Sequence, residues 1–182
     1  GRLLGAVLDV FETEPLPADS LLWERGDVIL EAQDLTGNSV EHISFQLHRG
    51  EILGFAGLVG SGRSETMELI VGAKKPTSGK ILLNGKEFRI ASPASAIEHG
   101  IALIPEDRKE QGVILWNTVL FNTSLSALNK ITMFGFINGK KNREMAEKYR
   151  DELRIKVPGI KQMVVNLSGG NQQKVVLAKA LA

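Results

Sequence analysis

The sequence predicts an α/β fold, a mixed sheet with a helical subdomain, and three observations carry that prediction. An apolar run leads straight into a glycine-rich loop and then into a helical pattern over residues 51–71, as when a buried parallel strand turns into a helix. Alternating strand patterns precede it at residues 28–32 and 43–47. Two helical segments follow it, before a last helix that Gly169 and Gly170 open. A length of 182 residues allows one ordinary domain with room for a small appendage. Hydrophobic residues at 43% and charged residues at 24% set a globular rather than a disordered balance. The net charge of +1 gives no bulk electrostatic pull toward nucleic acid. No cysteine is present, which excludes disulfides and thiolate metal sites. No apolar run approaches the roughly 18 residues that a membrane span needs.

Residues 1–25 differ in character from the rest and are read as an appended segment, with the main domain over 26–182. An apolar run at 3–10 passes into an acidic stretch whose Pro15 and Pro17 rule out helix. From Asp27 the pattern becomes regular. The strands at 28–32 and 43–47 flank a turn at Gly37-Asn38. Residues 51–56 are expected to form a buried strand, and residues 57–64 the glycine-rich loop. Met67, Leu69, Ile70 and Val71 then mark a helix that Gly72 and Pro76 end. Residues 80–88 read as a hairpin on Asn84-Gly85. Pro93 opens a short helix that Gly100 stops, and residues 101–104 are expected to be another buried strand.

The helical subdomain is expected at about 112–175. Leu120, Phe121, Ser124, Leu125 and Leu128 form the predicted face of its first helix. Met145, Ala146, Tyr149 and Leu153 form that of the second, whose charged side reads as a solvated face with a supporting Glu144/Lys148 pair. Ser168 is the expected N-cap of the final helix.

Two segments carry chemistry. Gly57-Leu58-Val59-Gly60-Ser61-Gly62-Arg63-Ser64 has the spacing of a phosphate-binding P-loop, with Arg63 in the lysine position and Ser64 at the hydroxyl that touches Mg²⁺. Glycines let such a backbone fold around an anion, and the helix N-terminus adds the positive end of its dipole. Arginine keeps the charge but is a planar fork, not a compact ammonium on a flexible stem. Tight strand–helix packing with no ligand is the competing reading of the loop alone. Leu167-Ser168-Gly169-Gly170-Asn171-Gln172-Gln173-Lys174 places two glycines in a first helical turn. These are costly unless something approaches the backbone closely. A serine hydroxyl and a helix N-terminus there make a second anion site.

The two motifs in this order resemble the Walker A and signature motifs of ATP-binding-cassette (ABC) proteins. With Phe55-Ala56-Gly57, Glu65 and Ile104-Pro105-Glu106-Asp107-Arg108-Lys109, residues 26–182 resemble the second nucleotide-binding domain of ribose-, galactose- and xylose-type sugar importer ATPases. The resemblance implies a P-loop NTPase of the ABC type. ATP phosphates would lie on Gly57, Gly60, Ser61, Gly62, Arg63, Ser64 and Glu65, with Mg²⁺ on the Ser64 hydroxyl. Ser168, Gly169, Gly170, Asn171 and Gln172 would face the ATP of a second cassette, because cassettes of this family pair head to tail. Implied partners are that cassette, membrane permease subunits and, indirectly, a periplasmic sugar-binding protein. The implied location is the cytoplasmic face of the membrane, held there by partners, with residues 117–128 toward the permease.

Departures from the family pattern bear on activity. Glu106 stands where active cassettes carry the Q-loop glutamine, and a solvated loop carboxylate is its other reading. No aromatic residue stands in place to stack on adenine, since Phe45 reads as core. His42, His48 and His99 read as surface or strand-edge residues. Gly1 in place of Met and Ala182 inside an apolar helical pattern suggest cuts at both ends. The Asp-Glu strand and switch histidine of the family are then expected beyond residue 182, and no catalytic residue is assigned within it. Residues 1–23 resemble the end of the nucleotide-binding domain of D-2-hydroxyacid dehydrogenases, with Glu14 at the glutamate that orients the catalytic histidine. The glycine motif, arginine and Pro-His segment of those enzymes are missing, so no dehydrogenase activity follows. A splice of two coding sequences and an unusual linker both fit the segment. In either case a strand taken from its parent sheet should be poorly ordered or add to an exposed edge. Three function classes follow: an importer's ATPase subunit, a non-catalytic nucleotide-binding module, and a non-functional fusion fragment.

Overall fold

The computed structural model describes the backbone of residues 6–7 and the whole of residues 28–182. The acidic stretch with Glu14 lies outside the described residues. The chain divides into two compact units with the boundary between Ile101 and Ala102.

The first unit is built on a four-stranded antiparallel sheet. Strands β2 (Val28–Gly37) and β3 (Val40–His48) form a hairpin. The turn is one residue later than expected: Asn38 and Ser39 both take positive φ, 48° and 69°. A two-residue turn of that hand matches the twist of the flanking strands. Strand β5 (Ser78–Leu83) pairs with β2 on its other side, and β6 (Lys86–Glu87) returns along β5. The predicted Asn84-Gly85 turn is present, with φ of 49° and 75°. Helix α1 (Arg63–Ile70) is followed by Gly72 at φ 69°. Helix α2 (Pro93–Glu98) has Ser92 as its cap, accepting from the Ser95 N–H at 3.3 Å. The core is Ile29, Leu30, Ala32, Leu35, Val40, Leu47, Leu69, Ile70 and Ile81, with Phe45 packed against it as expected. Phe45 meets Phe55 edge-on at 5.0 Å.

The run at 51–56 forms a strand only at β4 (Ile52–Leu53), which pairs in parallel with β1 (Ala6–Val7). Residues 101–104 form no strand, and Ile104 is 38% exposed. An apolar run becomes a strand only where a partner satisfies its N–H and C=O groups. Among the described residues none pairs with 101–104, and β4 has partners only at its two paired residues.

The second unit, residues 102–182, is helical. Helices α3 (Val119–Ser124) and α5 (Gly139–Glu152) pack with α6 (Gly169–Leu181). The core is Val113, Val119, Tyr149, Ile155, Val164, Val175, Val176 and Ala178. The short α4 (Leu128–Ile131) leads into a small hairpin of β7 (Thr132–Met133) and β8 (Phe136–Ile137).

The predicted face of the first helix is corrected here. Ser124 is buried as expected, but Phe121 and Leu128 are exposed, and Val119, Asn122, Thr123 and Ala127 are buried instead. Asn122 sets this register. Its side chain accepts from the Ile114 N–H at 2.7 Å and donates to the carbonyls of Ile114 and Thr118, both at 3.0 Å. A buried amide with these partners pins the preceding loop at little desolvation cost. In α5 the buried Ala146 and Tyr149 agree with expectation, but the charged face is paired differently. Lys140 meets Glu144 and Lys148 meets Glu152, each at 3.9 Å. At that exposure such pairs contribute little.

Candidate functional site

The glycine-rich loop is shaped by its own residues before any ligand is considered. The Ser61 N–H donates to the Leu58 carbonyl at 3.0 Å and closes a turn at the loop's tip. Gly60 and Gly62 hold φ of 83° and 85°, a backbone that L side chains adopt only under strain. At Gly62 a side chain would also run into Val40, which fills that space from the β2–β3 hairpin. Gly57 is crowded in the same way by the Ser61 side chain, its Cβ standing 2.9 Å from where a Cβ on Gly57 would be. Gly60 faces open space, with nothing within 4 Å of such a position.

Helix α1 then starts at Arg63 with its first turn fastened from two sides. Thr66 is buried and donates its hydroxyl to the Gly62 carbonyl at 2.7 Å. Asn38 reaches from the hairpin turn, donating to the Glu65 carbonyl at 3.1 Å and the Glu68 carboxylate at 2.9 Å. Residues 57–61 and Ser64 are exposed, while Arg63 and Glu65 are half-buried. The loop is thus held on its inner side and open on its outer side, with the positive end of α1 beneath it.

The signature segment lies in the other unit and is described by itself. Ser168 occupies the N-cap position of α6, but its side chain makes no capping bond. Its oxygen accepts instead from the Asn171 side chain at 3.0 Å, because Asn171 can reach it across the first turn. The same Asn171 accepts from the Lys156 N–H at 2.9 Å, tying the turn to the loop that follows α5. Gln172 is buried and faces inward, donating to the Val164 carbonyl at 3.2 Å and accepting from Arg108 Nε at 3.3 Å. Gly170 opens onto free space, with nothing within 4 Å of a Cβ position.

Residues 104–112 carry the predicted Glu106, which is exposed. Asp107 next to it caps a single wide helical turn, Arg108–Gly112, accepting from the N–H groups of Lys109 at 2.8 Å and Glu110 at 3.2 Å. Gly112 packs against Val176, and its carbonyl accepts from the Lys179 ammonium. Burial holds the Lys179 ammonium below its ordinary pKa. Of the histidines, His42 stands exposed at 2.7 Å from the Asp34 carboxylate, whose hydrogen bond and charge raise its pKa. His99 approaches the Ser95 carbonyl at 2.8 Å and packs on Phe88. Among the described residues no three His, Asp or Glu side chains gather as a metal cage.

Sequence reasoning missed Asn38, Val40 and Arg108 as parts of these two sites. Asn38 was legible as a turn residue only, and nothing in the spacing of Arg108 from Gly169 signals that they meet.

A family model described as ABC transporter matches residues 40–182. The chain is 47% identical over 157 residues to a ribose/galactose/methyl galactoside import ATP-binding protein of Agrobacterium fabrum, covering 85% of this chain and 31% of that protein. It is 43% identical over 188 residues to an arabinose import ATP-binding protein of Burkholderia cenocepacia, covering 100% of this chain and 35% of that protein. The chain thus spans about a third of the length of these relatives, and the second match takes in residues 1–25 as well. Among solved structures it is similar to cbiO1 of Clostridium perfringens, part of the ABC transporter complex cbiONQ. The TM-score is 0.66 at 23% identity, over 85% of this chain and 61% of that one. It is similar also to the dimeric ATP-binding cassette MJ0796 bound to ADP and Pi, with a TM-score of 0.68 at 22% identity over 85% of this chain and 69% of that one. These likenesses show the fold.

Proposed function

This chain belongs to the ABC transporter family, and on that premise we propose that it is the nucleotide-binding part of a sugar importer's second cassette. It would hold ATP on Gly57, Gly60, Ser61, Gly62, Arg63, Ser64 and Glu65, and present Ser168, Gly169, Gly170, Asn171 and Gln172 to the ATP of a partner cassette. The observation that supports this most is the pair of open helix starts. Gly60 and Gly170 each face empty space beside a helix start, and in the same two motifs their neighbours Gly57, Gly62 and Gly169 are crowded. Gly139 at the start of α5 is open as well but stands in neither motif. Open amides at a helix start receive an anion without a side chain in the way.

The residues fit ATP and Mg²⁺. A ligand's phosphates have room over Gly60, and Ser64 is exposed in the first turn of α1. Of this chain's residues, Ser64 is the one that would offer an oxygen to a magnesium ion bound with the phosphates. The ion, when bound, would offset phosphate charge. The chain's own residues do the rest. The loop amides orient the phosphates, Asn38 and Val40 keep the loop from shifting, and Arg63 adds a positive charge without the reach of lysine.

The relatives' names point to ribose, galactose, methyl galactoside or arabinose import. The further parts of the reading are a second cassette, permease subunits, indirect service to a periplasmic sugar-binding protein, and a place at the cytoplasmic membrane face. No helix among the described residues is long and apolar enough to cross a membrane, which fits attachment through partners. Residues 1–25 are read as an appended segment before a domain at 26–182, with the helical subdomain at about 112–175. The full-chain match to the arabinose importer supports the linker reading of the first 25 residues.

Equilibrium binding of Mg·ATP to this chain tests the P-loop half of the reading. Binding that weakens at least tenfold in Gly60→Asp, which sets a carboxylate into the open space, supports it. Binding indifferent to that change, or absent altogether, overturns it.

A further inference from the structure

The Arg108–Gly112 turn meets four residues of α6, and its first contacts fall on the signature turn itself. Arg108 Nε donates to Gln172 at 3.3 Å. The Nη2 of the same guanidinium stands 2.8 Å from where a Cβ on Gly169 would be. Further along, Gly112 sits against Val176 and accepts from Lys179. Gly169 is therefore glycine for a different reason than Gly170. Gly170 is open to an incoming group, whereas the Gly169 Cβ space is taken by Arg108. Gln172 meanwhile is buried, its amide nitrogen donating to Val164 and its oxygen accepting from Arg108. A guanidinium in that place fixes the side chain of one α6 residue and the backbone face of another, which a lysine's single ammonium cannot do.

We propose that Arg108 is a positioning residue for the signature turn, holding the first turn of α6 through Gln172 and Gly169 so that Gly170 presents its backbone to nucleotide phosphate. This rests on the reading of Ser168–Gln172 as a phosphate-facing turn. In this role Arg108 acts through Gln172 and Gly169. It makes the orientation of α6 depend on the loop that carries Glu106 and Asp107.

The test uses the complete natural protein that carries this chain, with steady-state ATP hydrolysis, thermal unfolding and Mg·ATP binding to this chain's own loop measured on each variant. Arg108→Ala and Gln172→Ala each lower kcat about tenfold or more, and the double variant loses no more than the worse single one, because both remove the same contact. In Arg108→Ala nucleotide binding at the Gly57–Ser64 loop stays as it was, and the rate falls by more than any loss of thermal stability accounts for. Gln172→Ala, buried and bonded to Val164 as well, also lowers the unfolding midpoint. Arg108→Lys recovers only part of the rate, since it keeps charge without the fork. Gly169→Ala mimics Arg108→Ala by displacing the guanidinium. Gly170→Asp serves as the control. If it abolishes hydrolysis while Arg108→Ala is neutral, the inference about Arg108 is wrong and the reading of the signature turn survives. If Gly170→Asp is itself neutral, that reading fails and takes the inference with it. Loss of rate in Arg108→Ala that tracks an equal loss of thermal stability overturns the positioning role in favour of a structural one.

Discussion

Replacing Gly62 and Gly60 in parallel by alanine separates backbone strain from crowding in the phosphate-binding loop. The two glycines share nearly the same backbone, φ 85° and φ 83°. A non-glycine residue in that region costs about 1–2 kcal/mol, and both variants carry that cost. They differ in what the new methyl meets: nothing within 4 Å at Gly60, and the buried Val40 side chain at Gly62. Forcing a methyl into packed side chains costs a further 1–3 kcal/mol, roughly. Gly60→Ala should therefore destabilise by about 1–2 kcal/mol and Gly62→Ala by about 2–5 kcal/mol, the sum of the two contributions. Urea unfolding of the chain measures both, with the slope required to stay constant. A double variant with Val40→Ala should recover part of the Gly62→Ala loss and none of the Gly60→Ala loss, since only one pair is in contact. Equal destabilisation by the two substitutions, or no coupling of Gly62 to Val40, refutes the assignment of Val40 as the wall behind the loop.

Two further outcomes follow from single contacts. Asn38→Ala removes both bonds that tie the hairpin turn to α1, at 3.1 and 2.9 Å; it should cost about 1–2 kcal/mol in urea unfolding, whereas Asn38→Gly should repair the turn and not the loss. His42 should titrate above its ordinary value by NMR, and Asp34→Asn should return it there, because the Asp34 carboxylate raises it. The sign follows from linkage: any stability this pair adds is fully present below the unfolded-state pKa and is lost as pH rises through the higher folded-state value. At this exposure the stability effect is small, so the shift itself is the readout.

The parts legible in the sequence were those fixed by local chemistry. Asn84-Gly85 marked one hairpin turn in place and Gly37-Asn38 marked another one residue early, because only a few residue types accept positive φ. Pro93 and Gly100 bounded α2 for the same kind of reason. What stayed illegible depended on partners far along the chain. Residues 101–104 have the apolar composition of a buried strand, yet composition does not supply a pairing strand. The face of α3 was misjudged because Asn122 is polar and buried. Periodicity counts it as surface, while three hydrogen bonds to the Ile114 loop and Thr118 hold it inside. At the candidate sites the glycines and Ser168 were found by spacing. The residues that wall them, Val40 behind Gly62 and Arg108 behind Gly169, come from other elements and left no pattern to read. Ser168 was found for its position but not for its bond, since Asn171 competes for the hydroxyl that would otherwise cap α6.

ATP hydrolysis by the complete natural protein, compared between Gly170→Asp and Arg63→Ala, tests the central claim most directly. If the chain serves mainly by presenting its signature turn to a partner's nucleotide, Gly170→Asp abolishes hydrolysis by setting a carboxylate where phosphate should lie, and Arg63→Ala leaves most of the rate. Equal losses from the two substitutions contradict the account.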